Sequence, residues 1–102
     1  MGSTGTTPRE IKKVEVTMPC KLGLHARTAT RFILFVRQFA ARVRIIKGGL
    51  VVDGKSILGL LALGASWKSR LLIEVEGDDA DKASQAIEAY FLVPEHCDDV
   101  IR

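Results

Sequence analysis

The hydrophobic periodicity of this chain switches repeatedly between two residues, as in strands, and three to four residues, as in helices. Residues 11–18 alternate, with Val14, Val16 and Met18 on one face. After a loop at residues 20–24 the period lengthens and predicts an amphipathic helix that begins just after His25. Its apolar positions are Ala29, Phe32, Ile33, Val36, Phe39 and Ala40. A chain with both periods must pack helices against a sheet.

The rest of the chain continues this alternation. Strands are predicted at residues 42–47, 50–52 and 71–76, and Gly48 and Gly49 form the turn of a hairpin. A short helix at residues 57–63 starts at Ser56 and stops at Gly64, and a third helix follows residues 77–79. The order is β-α-β-β-α-β-α. We therefore expect an α+β open-faced β-sandwich, with a four-stranded antiparallel sheet and three helices on one face.

Length and composition bound the organisation of the chain. Its 102 residues suit one domain, which we place at residues 11–93, between a flexible segment at 1–10 and a polar tail at 94–102. No apolar run approaches the roughly 20 residues that span a bilayer, so we expect no membrane insertion. The N-terminus lacks the features of a secretory signal, which favours the cytoplasm. We expect Cys20 and Cys97 to be reduced thiols.

Charge is unevenly distributed along the sequence. The net charge is +3, with basic residues concentrated in the first half and acidic residues in the last third. The basic half suits an anionic partner or an acidic protein surface. A nucleic acid is disfavoured, because aromatic residues do not alternate with the basic ones on the strands. No metal is expected, since the two histidines and two cysteines fit no zinc spacing; they are His25, His96, Cys20 and Cys97.

The most informative chemistry lies around His25. This residue sits where a loop containing Gly23 meets a helix N-terminus, whose backbone N–H groups, starting at Ala26, favour an anion. Arg27 adds a fixed cation with a planar fork of donors. A neutral imidazole is nucleophilic, and the P–N bond that it forms with a phosphoryl group is labile. The residues therefore suit a phosphoryl carrier, although on these residues alone a histidine that only caps or packs at a helix start is the more ordinary interpretation.

Two motifs resemble those of a known family. Residues 23–27, Gly-Leu-His-Ala-Arg, match the phosphorylation motif of the histidine-containing phosphocarrier (HPr) family of the bacterial phosphotransferase system, in its sugar or nitrogen branch. Residues 54–59, Gly-Lys-Ser-Ile-Leu-Gly, match the segment that carries the family's regulatory serine. One departure is Thr28, where many members have proline.

The resemblance implies a covalent carrier, not an enzyme, that needs no cofactor. His25 would accept a phosphoryl group on Nδ1 from enzyme I and pass it to an enzyme IIA, with Arg27 steadying the phosphate. Gly23 and Ala26 would supply supporting backbone. Ser56 would be either a phosphorylation site for an HPr kinase or simply a helix cap. Leu58 and Leu61 are predicted docking residues, with the hydrophobic core as the other interpretation.

A regulatory module of the same fold is the alternative function. Such a module would dock on partner proteins, for example a transcriptional regulator, without efficient phosphotransfer. Its support in the sequence is Thr28 together with apolar residues beyond the needs of the core, namely Leu34, Phe35 and Leu61.

Overall fold

The computed structural model describes residues 11–21, 23–66 and 68–93. The element order is β1 Ile11–Thr17, α1 Ala26–Val36, β2 Arg42–Lys47, β3 Leu50–Asp53, α2 Ile57–Leu63, β4 Arg70–Glu76 and α3 Ala80–Phe91. This is the predicted order, and the open-faced α+β class is confirmed. The predicted segments at residues 1–10 and 94–102 lie outside the described residues.

The four strands form one antiparallel sheet in the order β1-β4-β2-β3. Alternation along each strand sends one set of side chains toward the helices. In β2 that set is Val43 and Ile45, and in β4 it includes Ile73, all of them buried. The predicted inward faces of these strands are therefore confirmed. The predicted hairpin turn at Gly48 and Gly49 is also present, as the pairing of Lys47 with Leu50 across it shows.

Ion pairs join neighbouring strands across the outer sheet face. Arg44 on β2 donates from Nε to Glu74 and from Nη2 to Glu76 on β4, each at 3.2 Å. These bonds raise the pKa of Arg44, so that its guanidinium stays charged. Lys13 on β1 lies 3.9 Å from Glu74 on the same face. Pairs this exposed add little stability each.

α1 ends earlier than the sequence predicted. Its apolar period runs on to Phe39 and Ala40, but the helix stops at Val36. The last turn tightens, since the N–H of Phe39 donates to the carbonyl of Val36 at 3.1 Å. The carboxylate of Asp79 then accepts the N–H groups of Ala40 and Ala41, both at 2.9 Å. The Asp79 carboxylate, 38 residues from Ala41 along the chain, thus directs the segment after α1 into β2.

An aromatic cluster joins α1 to α3. Phe32 meets Phe91 edge to face with ring centroids 5.6 Å apart, and Phe35 stacks on Tyr90 at 4.5 Å. Such contacts add stability beyond the area that they bury. The prediction that Phe35 is surplus to the core is therefore wrong, because this ring packs between the helices. Leu34, by contrast, is 65% exposed, as predicted from its position opposite the buried side of α1.

Candidate functional site

The loop before α1 is held by its own turn and by a neighbouring loop. The N–H of Gly23 donates to the carbonyl of Cys20 at 2.9 Å, and the N–H of Leu24 donates to the carbonyl of Ala65 at 2.8 Å. Ala65 follows the glycine that ends α2, so this second bond ties the end of α2 to the approach to His25. The importance of Ala65 could not be read from the sequence, because the contact joins residues 41 positions apart.

Gly23 is required by this path. Its φ is +74°, and a Cβ atom there would lie 2.6 Å from the carbonyl oxygen of Ala65. Only glycine combines a left-handed backbone with so close an approach. The sequence-based role of Gly23 in allowing a tight path is consistent with this geometry, although its predicted support of a phosphate stays a prediction.

Cys20 departs from the expectation of a reduced thiol. It is 7% exposed and takes part in a disulfide. Its partner lies outside the described residues. The start of the loop that leads to His25 is thus covalently tied.

His25 is the N-cap residue of α1, with extended backbone at φ −123° and ψ −178°. Its carbonyl accepts the first helical bond, from the N–H of Ala29 at 2.8 Å. The residue is half-buried, so part of it remains exposed to solvent. The N–H groups of Ala26, Arg27 and Thr28 precede this first bond and carry the partial positive charge of the helix end. The predicted helix start just after His25 is confirmed.

His25 and Thr28 cap each other. The Thr28 hydroxyl accepts the N–H of His25 at 3.0 Å. In return the His25 side chain meets the backbone N–H of Thr28, a capping-box contact that falls short of a full side-chain hydrogen bond. Thr28 itself is only 4% exposed. The sequence indicated that the hydroxyl could bond locally, and the structure gives it specific partners.

The residues flanking His25 differ in exposure. Ala26 and Arg27 are both exposed in the first turn of α1, so a guanidinium lies within two residues of the imidazole on the same open end of the helix. No acidic side chain lies in that first turn. The helix end therefore presents positive charge alone, which suits an anion.

α2 contributes the other predicted residues. Ser56 is its N-cap and accepts the N–H of Gly59 at 3.0 Å, so the predicted cap is present. Leu58 is 76% exposed and Leu61 is 40% exposed, whereas Leu60 between them is fully buried. The interpretation of Leu58 and Leu61 as plain core is therefore excluded, and their docking role stays a prediction.

Membrane-spanning and metal-binding features are both absent from the described residues. Within residues 11–21, 23–66 and 68–93, no helix is long and apolar enough to cross a membrane. In the same ranges no three side chains of the metal-binding types come together.

Comparison with known proteins identifies the family. The family model described as the PTS HPr component phosphorylation site matches residues 12–92. The phosphocarrier protein NPr of Shewanella violacea is 38% identical over 73 residues, which cover 72% of this chain and 80% of that protein. The HPr-like protein Crh of Halalkalibacterium halodurans is 37% identical over 79 residues, covering 78% and 92%. A solved phosphocarrier protein HPr from Bacillus anthracis superposes with a TM-score of 0.74 at 36% identity, covering 78% and 95%.

These matches place the chain in the class of small phosphocarrier proteins with an open-faced sandwich fold. It belongs to the HPr family of the phosphotransferase system.

Proposed function

We propose that this protein carries a phosphoryl group on His25 between enzyme I and an enzyme IIA. The observation that carries the proposal is the place of His25, a half-buried histidine at the N-cap of α1 inside the segment that matches the family. A nucleophile there faces the backbone N–H groups of the first turn, so an attached phosphate gains hydrogen-bond donors and favourable charge.

The proposed transfer is a displacement at phosphorus. The lone pair of Nδ1 forms the new P–N bond, while the bond from phosphorus to the donor group on enzyme I breaks and its electrons leave with that donor. The Arg27 guanidinium and the N–H of Ala26 stabilise the charge on the phosphoryl oxygens. Onward transfer to an enzyme IIA reverses these roles, and no cofactor takes part in either step.

Ser56 and the surface of α2 are secondary parts of the proposal. Leu58 and Leu61 would contact enzyme I and the IIA partner, because exposed leucines beside a reactive site favour protein docking. Ser56 would also accept a phosphate from an HPr kinase, which would place a dianion where its hydroxyl now caps the helix. The expected place of action is the cytoplasm.

The test is the intact mass of the protein after incubation with its cognate enzyme I and phosphoenolpyruvate. We expect one acid-labile phosphoryl group on the wild-type protein and on His96→Ala, which alters the chain's other histidine. His25→Asn should gain none, although its amide retains a side chain able to cap α1. No gain on folded wild-type protein would refute the carrier function. Retained binding to the IIA partner would then favour the regulatory docking module.

A further inference from the structure

Thr28 is a buried polar residue directly beneath the His25 loop. Its hydroxyl accepts the N–H of His25 at 3.0 Å. The one hydroxyl proton has two acceptors within reach, the carbonyl of His25 at 3.1 Å and that of Gly23 at 3.3 Å. The side chain therefore fastens the loop that carries the imidazole to the first turn of α1.

The hydroxyl side of this fastening is shielded from water. Thr28 is 4% exposed, so the loss of its hydroxyl would leave the N–H of His25 without its partner in a partly buried place. An unsatisfied donor of this kind costs more than the net value of the bond that it lost. The backbone of His25 would shift to regain a partner, and the ring would move with it.

Thr28 also contacts the side chain of His25. Its backbone N–H meets that side chain in the capping box, without a full hydrogen bond.

We propose that Thr28 is a positioning residue, whose hydroxyl holds the backbone of His25 in the conformation that places the imidazole at the N-terminus of α1. The inference deepens the proposed carrier function and rests on it for its kinetic consequence. In the transfer step a ring nitrogen supplies the electron pair for the new P–N bond while the bond from phosphorus to the donor breaks. The rate of this step depends on how well the ring is held in place.

Three variants test the role of the Thr28 hydroxyl. Thr28→Val keeps the side-chain shape and the N–H group but removes the hydroxyl. Thr28→Ser keeps both groups. Thr30→Val is the matched control, because the Thr30 hydroxyl, two residues along the same helix, bonds only the exposed carbonyl of Ala26 at 2.7 Å.

The kinetic readout is the rate of phosphoryl transfer from enzyme I. We expect Thr28→Val to be about tenfold slower than wild type, which corresponds to one hydrogen bond. Thr28→Ser and Thr30→Val should stay within about twofold. Equal rates for folded Thr28→Val and Thr30→Val would overturn the hydroxyl's role.

A structural readout is independent of transfer. Hydrogen exchange at the backbone N–H of His25 reports whether its bond to the Thr28 hydroxyl is present in the free protein. We expect exchange at this N–H to be faster in Thr28→Val than in wild type, and unchanged in Thr28→Ser and Thr30→Val. Thr28→Ala gives the same comparison if Thr28→Val does not fold, and unchanged exchange in the folded variant would contradict the proposal. If exchange changes as expected but wild type is never phosphorylated, the carrier function fails and the positioning by Thr28 stands.

Discussion

At the scale of single residues, the path of the chain into His25 depends on Gly23. We predict that Gly23→Ala lowers the free energy of unfolding by about 2–4 kcal/mol, because a left-handed backbone and a clash with the carbonyl of Ala65 add together. Gly48→Ala is the matched control. Its φ is +60°, yet nothing lies within 4 Å of the added Cβ, so only about 1 kcal/mol should be lost. Urea unfolding measures both values. Equal losses of unfolding free energy in Gly23→Ala and Gly48→Ala would show that the structure relieves the clash, which would contradict the prediction.

Tyr90 gives the stability a pH dependence in the alkaline range. Burial between the helices raises the pKa of its phenol, and the charge of Arg31 partly offsets this. The folded protein therefore keeps this proton to higher pH than the unfolded chain does. The resulting stabilisation is complete below the unfolded pKa of about 10 and is lost as pH rises through the folded value.

The measurement uses the absorbance of tyrosinate, which reports this residue alone because Tyr90 is the only tyrosine of the chain. We expect its titration midpoint to be higher in the folded protein than in urea. Tyr90→Phe should reduce the loss of stability above pH 10. A midpoint equal in the two states would contradict the prediction.

Residue-level inference from the sequence was strongest where chemistry is local. His25, Arg27 and Ser56 were identifiable because a motif or a cap needs only neighbouring positions. The bond from Leu24 to Ala65 and the two bonds that Asp79 accepts could not be foreseen. They depend on how distant parts of the chain meet, and no local pattern encodes that.

At the scale of elements, α2 divides its leucines between two surfaces. We predict that Leu60→Ala costs about 2–5 kcal/mol of unfolding free energy, since the side chain is fully buried. Leu58→Ala should change stability by no more than about 0.5 kcal/mol. It should instead weaken the binding of enzyme I by about tenfold, as expected for an apolar anchor in an interface.

Calorimetric titration with enzyme I measures the second effect. Leu92→Ala is the matched control, because Leu92 is also 76% exposed but follows α3 rather than lying on α2. Equal affinities for Leu58→Ala and Leu92→Ala would exclude α2 as a docking surface.

The elements themselves were predictable because each has a clear period and a clear end. Ser56 and Gly64 bound α2 as predicted, with Gly64 in the left-handed conformation at φ +58°. The exception was the end of α1, where the apolar period continues through Phe39. Phe39 is buried after the helix has stopped, so burial alone produced a pattern that resembles one more helical turn.

At the scale of the whole molecule, strand order is the property that the sequence could not supply. An alternating strand shows which of its faces is buried but not which strand lies beside it. Here β1 pairs with β4 and with no other strand of the described residues. The first strand of the fold thus finds its partner only after α1, the β2–β3 hairpin and α2.

This pairing has a consequence for how the chain folds as it leaves the ribosome. At roughly 5–20 residues per second, β4 emerges several seconds after β1. During that interval β1 exposes a row of unpaired backbone groups, which is the usual starting point for aggregation. Its Lys12, Lys13 and Glu15 are charged and interrupt the apolar residues. They act as gatekeepers for a strand that must wait for its partner to be translated.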